Sequence, residues 1–359
     1  MGGADPCICP SPCVLKMKKS DFNFNLPEEL IAQEPARPRD SSRLLVVDKG
    51  SGSFTDGAFK DLPDFLGAGD LLVVNDTKVI PARLWGRKES GGRVEVLLLS
   101  REGERRWTAL LRAAKKFRPG MKILLGEDAA LLVEEVLGEG RHMVYLESGG
   151  GPDETIEALG EMPLPPYIRR AAPRAEDHEW YQTLFAHPDK GGSSAAPTAG
   201  LHFTGEVRGA LNEKGVETTE VTLHVGLGTF LPVRVEDLSE HEMHSERFEL
   251  GEGAAKKINR ALDDGRRVIA VGTTATRVLE HCGAGGRVVP GKGETKLFIT
   301  PGYDFKVVSA MVTNFHLPES TLLMLVSALG GRELILRAYR HAVKERYRFY
   351  SYGDAMLIK

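Results

Sequence analysis

Between Leu71 and Leu146 the apolar positions come in short runs or in alternation: LLVVND, ARLWGRK, RVEVLLLS, RWTALLRA, MKILL, AALLVEEV and RHMVYLE. Turn signals such as ESGG, EGE, RPG and GEG separate them. Closely spaced runs of this kind predict antiparallel strands closing into a small barrel. After GGGPDET the pattern changes: TIEALGEM reads as a helix, PLPPYIRR as a Pro-stiffened linker, and DHEWYQTLFA as a helix capped by Asp177. Further on, strand and helix patterns alternate: VETTEVTLHV, AAKKINRALDDG, RRVIAV, TATRVLEH, VVSAMVTNF and ESTLLMLVSALGG. That alternation predicts a partly parallel sheet with helices on its faces. Near the start, Pro27 with Glu28 and Glu29 marks a helix start, and RLLVVDKGSGSFTDGAF reads as a β-hairpin. The expected fold is an α/β domain with an inserted small antiparallel β-barrel domain. The α/β part spans residues 17–70 and 151–359, and the barrel spans 71–150.

A chain of 359 residues with 42% hydrophobic positions has ample material for two cores. Residues 1–16 lack periodicity and the long apolar run of a secretory signal, and are expected to be a disordered extension. Three of the four cysteines crowd there in CICPSPC, without zinc-ribbon spacing or a neighbouring His, so no metal is expected. The longest apolar stretch, TLLMLVSAL at 321–329, is too short to cross a bilayer. No membrane association is expected, and a cytoplasmic location is.

Charge changes the picture more. Between Lys78 and Lys122 stand 13 Lys/Arg and 4 Asp/Glu, a net of +9 in a chain whose total is −3. A basic barrel on an acidic body predicts a polyanion surface, with Arg105 and Arg106 at a hairpin turn exposed on it.

In open α/β sheets, ligands bind at the carboxyl ends of strands. RVIAV-GTT-ATRVLE places Gly272, Thr273 and Thr274 between a strand and a helix N-terminus, which favours anions, although ordinary N-capping explains the threonines too. MVTNF-HLP-ESTLLM repeats that grammar with Asn314 and His316. VTLHVGLGTFLPV puts His224 at a strand end before Gly226 and Gly228, but its GxG lacks the rest of a dinucleotide fingerprint. EHEMHSERF holds His241, His244 and Glu246 at a spacing that does not match HExxH, and Glu246 beside His244 suggests an acid/base pair. AAPTAGLHFT holds His202 in a Pro/Gly turn. Five of ten histidines fall in such loops, which points to one pocket of groups that titrate near neutrality.

These motifs, with SDFNFNLPEELIAQEPARPRDSSRLL, GDLLVVNDTKVIPARL, MPLPPYI, PGYDFKVVSAMVTNFHLPESTLLMLVSA and YRFYSYGDAMLI, resemble the S-adenosylmethionine:tRNA ribosyltransferase-isomerase family of queuosine biosynthesis. The resemblance runs in order from Met17 to Ile358. Ser194 and Ala275 stand where the family pattern has Val and Ser, and Glu294 and Thr300 where it often has Trp and Tyr. The resemblance implies transfer of the ribosyl part of S-adenosylmethionine to 7-aminomethyl-7-deazaguanine at the tRNA wobble position. Epoxyqueuosine forms, and adenine and methionine leave. The implied partners are tRNAs with a GUN anticodon (Asp, Asn, His, Tyr), and S-adenosylmethionine is consumed as a substrate, so no cofactor is implied. A monomer is expected.

That chemistry needs a base for the 5′ carbon beside the sulfonium, an acid for departing adenine and a free RNA amine. His202, His224, His244 and His316 are the acid/base candidates, with Glu246 as a partner; a loop post is the other reading of His202. Expected to bind substrate are Asn75, Thr77, Arg83, Thr198, Gly200, Gly226, Gly228, Thr229, Gly272, Thr273, Thr274, Arg277 and Asn314. Two other classes stay open: a tRNA methyltransferase, which would yield S-adenosylhomocysteine, and a non-catalytic RNA-binding protein, which would release no adenine. Removal of residues 1–16 is expected to leave the melting temperature and turnover unchanged, as checked by calorimetry and activity assay; a large loss of either would show that the extension packs on the fold.

Overall fold

The computed structural model describes residues 17–226 and 233–359. The expected extension, residues 1–16, lies outside the described residues, as do Gly228 and Thr229.

The N-terminal hairpin forms as the pattern predicts, from β1 (Arg43–Asp48) and β2 (Ser53–Ala58). The helix expected after Pro27 is a single 3-10 turn, Glu28–Leu30, because Ile31 leaves it to bridge Phe349. Next comes β3 (Leu71–Asn75), all five residues buried. This strand was expected to open the barrel. It lies instead in the middle of the large sheet, where a continuous apolar run is buried on both faces. The short β4 (Lys78–Val79) follows.

The barrel strands therefore start at Arg83 rather than Leu71. They are β5 (Arg83–Lys88), β6 (Arg93–Arg101), β7 (Arg106–Arg112), β8 (Lys122–Leu124), β9 (Ala129–Gly138) and β10 (Arg141–Ser148). They close in the order β10-β7-β6-β5-β8-β9, every pair antiparallel. Alternating burial in β5, β7 and β10 turns Leu84, Trp107, Val144 and their neighbours into a core of their own. Gly86 permits the close β5–β8 approach, since a Cβ there would stand 2.6 Å from Ile123 Cγ2 and 2.8 Å from the Leu124 carbonyl oxygen.

The chain returns through α1 (Pro152–Leu159), α2 (Asp177–Trp180) and β11 (Gly191–Ser193). The expected ten-residue helix with an Asp177 cap is reduced to the single turn α2. The Asp177 carboxylate is buried and bound by Arg170 Nε (3.1 Å) and Nη2 (3.0 Å), so it caps nothing. β11 lies parallel to β4, pairing Gly191 with Lys78 and Ser193 with Val79; this ribbon is the neck of the insertion.

The α/β domain continues with α3 (Gly205–Glu213), β12 (Glu217–Leu223), β13 (Glu246–Leu250), α4 (Glu252–Asp263), β14 (Val268–Val271) and α5 (Gly272–Cys282). It ends with β15 (Gly291–Thr295), β16 (Ala310–Asn314), α6 (Thr321–Gly330), α7 (Arg332–Lys344) and β17 (Ala355–Ile358). The nine-stranded sheet runs β15-β13-β12-β3-β14-β16-β17-β1-β2. Its centre, β12-β3-β14-β16, is parallel throughout. α4 is amphipathic, burying Ala255, Ile258 and Ala261 while Lys256, Lys257 and Arg260 are not buried.

β16 is delivered to the sheet by an internal clamp. Glu280, on α5 and buried, accepts from the backbone N–H groups of Lys306 (2.9 Å), Val307 (3.1 Å) and Val308 (2.8 Å). Removing the carboxylate leaves those donors unpaired, each costing about 1–3 kcal/mol. Glu280→Ala is therefore expected to lower the unfolding free energy by about 3 kcal/mol or more, measured by urea titration.

Candidate active site

The four parallel strands end on one edge, and most of the expected site residues leave from those ends. β3 is followed by Asp76 and Thr77, β12 by His224 and Gly226, β14 by the Gly272-Thr273-Thr274 turn of α5, and β16 by Phe315 and His316. The parallel register aligns these ends, with Val221 beside Asn75 and Val271 beside Val312.

A small pocket of about 100 Å³ sits over β14 and β16. Thr198, Gly272, Thr273, Thr274, Asn314 and His316 line it. The Gly-Thr-Thr segment is the first turn of α5 rather than a preceding loop. Gly272 has φ +87°, a conformation that a side chain rarely adopts, and a Cβ there would meet Ala199 Cβ at 3.4 Å. Thr274 Oγ1 is buried without a hydrogen-bond partner among the described residues. A helix N-terminus with an unmatched hydroxyl suits an anionic or polar ligand group. His316 is half-buried, its Nε2 is 2.9 Å from Thr313 Oγ1, and burial lowers its pKa to about 3. It is a neutral imidazole at pH 7.

Beneath the pocket lies a fully engaged network. Asn314 Nδ2 donates to the Tyr350 carbonyl at 3.0 Å, and a carbonyl only accepts, so the amide orientation is fixed. The same Nδ2 then donates to His202 Nε2 (3.1 Å), which puts the His202 proton on Nδ1, facing Ser42 Oγ at 2.8 Å. Thr198 Oγ1 donates to Asn314 Oδ1 at 3.0 Å. His202 also stacks on Phe59, with ring centroids 5.0 Å apart. It is buried and lines neither this pocket nor the cleft described next. Burial, then Arg39 and Arg348, push its pKa down to about 3. The Pro-Thr-Ala-Gly turn thus holds His202 as a hydrogen-bond post behind the wall. Gly200 packs there too, where a Cβ would meet Thr183 Cγ2 at 3.1 Å.

A larger cleft of about 820 Å³ opens between the barrel and the α/β domain, lined among others by Arg83, His224, Gly226, His244 and Glu246. Pro166 lines both cavities. Thr77 Oγ1 lies 2.9 Å from His224 Nδ1 and 3.4 Å from the Lys190 carbonyl, which orients the imidazole through Nδ1. Burial, Lys190 and Arg247 lower the His224 pKa. His244 is exposed on the cleft. Arg247 ties the domains together, donating to the Arg101 carbonyl and to Glu102.

Two expected substrate contacts, Asn75 and Arg277, and the expected acid/base partner Glu246 are held by partners within the protein. Asn75 joins β3 to β12, donating to the Leu223 carbonyl (3.0 Å) and accepting from Leu223 N (3.1 Å). Arg277 is buried and paired with Glu246, and it also donates to the carbonyls of Leu297 (3.1 Å) and Thr295 (3.3 Å). Burial lowers its pKa to about 10. Glu246, expected beside His244, is thus held by Arg277 and accepts from Gly226 N at 3.4 Å. Among the described residues, no group of three or more His, Cys, Asp or Glu side chains is placed to hold a metal ion.

The family model described as queuosine biosynthesis protein matches residues 19–358. This chain belongs to that family. It is 53% identical over 347 residues to the S-adenosylmethionine:tRNA ribosyltransferase-isomerase of Symbiobacterium thermophilum, covering 95% of this chain and 100% of the relative. The counterpart from Desulfitobacterium hafniense is 51% identical over 346 residues with the same coverage. Among solved structures, the S-adenosylmethionine tRNA ribosyltransferase from Thermotoga maritima superposes with a TM-score of 0.55 at 36% identity, covering 95% of this chain and 100% of that one. No helix among the described residues is long and apolar enough to cross a membrane.

For a member of this family, sequence reasoning passed over several wall residues. Pro166 and Tyr167 of MPLPPYI, and Tyr350 and Ser351 of FYSYG, line the smaller pocket. Tyr167 Oη lies 2.5 Å from Ser351 Oγ. In both segments the aromatic residues beside Pro and Gly are the signal that the sequence carries for them.

The two low-pKa histidines make stability pH-dependent. A folded-state pKa near 3 against about 6.5 unfolded means the unfolded chain binds more protons between those values. Their contribution is constant above pH 6.5 and is lost as pH falls from 6.5 toward 3, at up to about 1.4 kcal/mol per pH unit for each. His202→Asn is expected to flatten the unfolding free energy against pH in that window by one such contribution, read by urea titration at pH 4–7.

Proposed function

We propose that this chain transfers and isomerises the ribosyl part of S-adenosylmethionine onto 7-aminomethyl-7-deazaguanine at the wobble position of tRNA. Epoxyqueuosine-tRNA forms, with release of adenine and methionine. The observation that carries the reading at the level of the site is the pair of joined cavities. The smaller ends on the α5 N-terminus, the larger runs between the α/β domain and a basic barrel, and each presents one imidazole held neutral.

The smaller pocket suits the amino-acid end of S-adenosylmethionine, with its carboxylate on Gly272, Thr273 and Thr274 and the rest of the molecule reaching past Pro166 into the cleft. The open cleft has room for the RNA nucleotide. The sulfonium acidifies the 5′ C–H bonds of the ribosyl group, and a neutral imidazole takes one of these protons. A second group protonates departing adenine, and the RNA amine attacks as the free base. His316 and His224 are the proton-transfer residues we favour, since both line a cavity in the unprotonated state. Asn314 and His202 act by position, shaping the floor of the pocket. S-adenosylmethionine is consumed as a substrate, and no cofactor enters this scheme. The substrates are tRNAs with a GUN anticodon, those for Asp, Asn, His and Tyr. Both cavities are lined by one chain, so a monomer working in the cytoplasm suffices.

Adenine release from S-adenosylmethionine in the presence of tRNA bearing 7-aminomethyl-7-deazaguanine tests the reading. Adenine and methionine are expected; S-adenosylhomocysteine would indicate a methyltransferase instead. His316→Ala is expected to lower turnover by roughly 10²–10⁴-fold at saturating substrates. Near-normal turnover in the folded variant would remove His316 from proton transfer.

A further inference from the structure

The basic excess of the barrel divides into two classes. Arg101 pairs with Asp153, Arg106 with Glu134 and Lys122 with Glu147, all acids outside the basic stretch. Arg105 donates to the carbonyls of Ser148 (3.2 Å) and Gly150 (2.9 Å). The turn expected to face a polyanion is therefore compensated within the barrel. At the other end, among the described residues, Arg87, Lys88, Arg93, Lys115, Lys116 and Arg118 have no ion-pair partner. Arg87 stands directly opposite Arg93 across β5 and β6. Like charges in cross-strand register are unfavourable unless an external anion relieves them.

Beside these cations is Trp85, 36% exposed, with the Arg93 guanidinium 4.4 Å from the ring centroid. Alternation puts Trp85, Arg87 and Arg93 on the outer face of the hairpin. Trp85 and Arg93 line a groove of about 540 Å³ between the barrel and the linker around Pro165. The acids there are Glu161 and Asp177, and Asp177 is neutralised by Arg170. Arg83 and Leu164–Pro166 line this groove and the 820 Å³ cleft alike, so the two are continuous. An aromatic–guanidinium layer flanked by free cations fits single-stranded nucleic acid, because bases stack on both planes and phosphates follow the charges.

We propose that this groove holds the single-stranded RNA next to the modified nucleotide. One flanking base stacks on the Trp85–Arg93 pair, and the phosphates run over Arg87 and the 115–118 loop, which Lys88 holds through the Lys115 carbonyl. The assignment rests on tRNA being the substrate, as argued above.

Trp107 and Trp180 are buried, so Trp85 is the indole that a bound base can quench. Titration of the full chain with an RNA stem-loop bearing a GUN anticodon should quench indole fluorescence in step with binding. Trp85→Ala should abolish the quench and raise the Kd and KM for RNA about 5–100-fold, with the KM for S-adenosylmethionine unchanged, while Trp85→Phe restores most of the affinity. Arg93→Ala should make the salt dependence of RNA binding shallower by about one unit. RNA binding with unchanged fluorescence, or with a Trp85→Ala affinity within about twofold of the parent, would overturn the groove assignment. Adenine release from modified tRNA would still support the activity in that case. Should Trp85→Ala fail to fold, the fluorescence of the parent chain decides the matter alone. Absence of both RNA binding and adenine release would sink the groove and the activity together.

Discussion

The substrate face depends on the side-chain amide of Asn314. Its Nδ2 holds the Tyr350 carbonyl and His202, and its Oδ1 holds Thr198. Through His202 the network reaches Ser42, at the entry to β1. Three segments far apart in sequence, around Ser42, Thr198–His202 and Tyr350, are thereby fixed against the end of one strand. A primary amide supplies the two donors and the acceptor used at this spot. Asn314, Thr198 and His202 beneath the pocket all have partners, and the unmatched hydroxyl of Thr274 stands out against them.

Burial does the electrostatic work. The histidines of the pocket and its floor are kept neutral by the cost of charging them away from water, with nearby guanidinium groups reinforcing the effect at His202. The buried ion pair of Glu246 with Arg277, at the edge of the cleft, braces β13 against α5. A cluster of cations without ion-pair partners stands on the outer barrel, while Lys190 and Arg247 reinforce burial in keeping His224 neutral.

The sequence made much of this legible wherever local pattern and environment agree. Period-two strands, the 43–58 hairpin and α4 all form at the expected places. The strand ends carrying His224, Gly272–Thr274, Asn314 and His316 lie along one edge because parallel register aligns them, but in place of the single expected pocket His224 faces the cleft and the others line the smaller pocket. What was not legible depends on distant partners. LLVVN reads equally well as a barrel strand or a central one, and only β12 and β14, more than a hundred residues later, decide. His202 looks like any loop histidine until Phe59, Ser42 and Asn314 cover it. Arg277 resembles a site cation until Glu246 neutralises it. The barrel charge was real, but Glu134, Glu147 and Asp153 beyond the basic stretch cancel part of it.

The neck formed by β4 and β11 has a consequence for how the chain assembles. The excursion from Ile80 to Lys190 leaves and re-enters the α/β domain on neighbouring strands, about 5 Å apart. Closing a loop depends only weakly on its length, with each doubling adding about 0.6 kcal/mol. Once the ribbon has zipped, the host sheet is almost indifferent to what is threaded between its two ends. The barrel is free to lengthen, shorten or mature on its own schedule while β3 keeps its register.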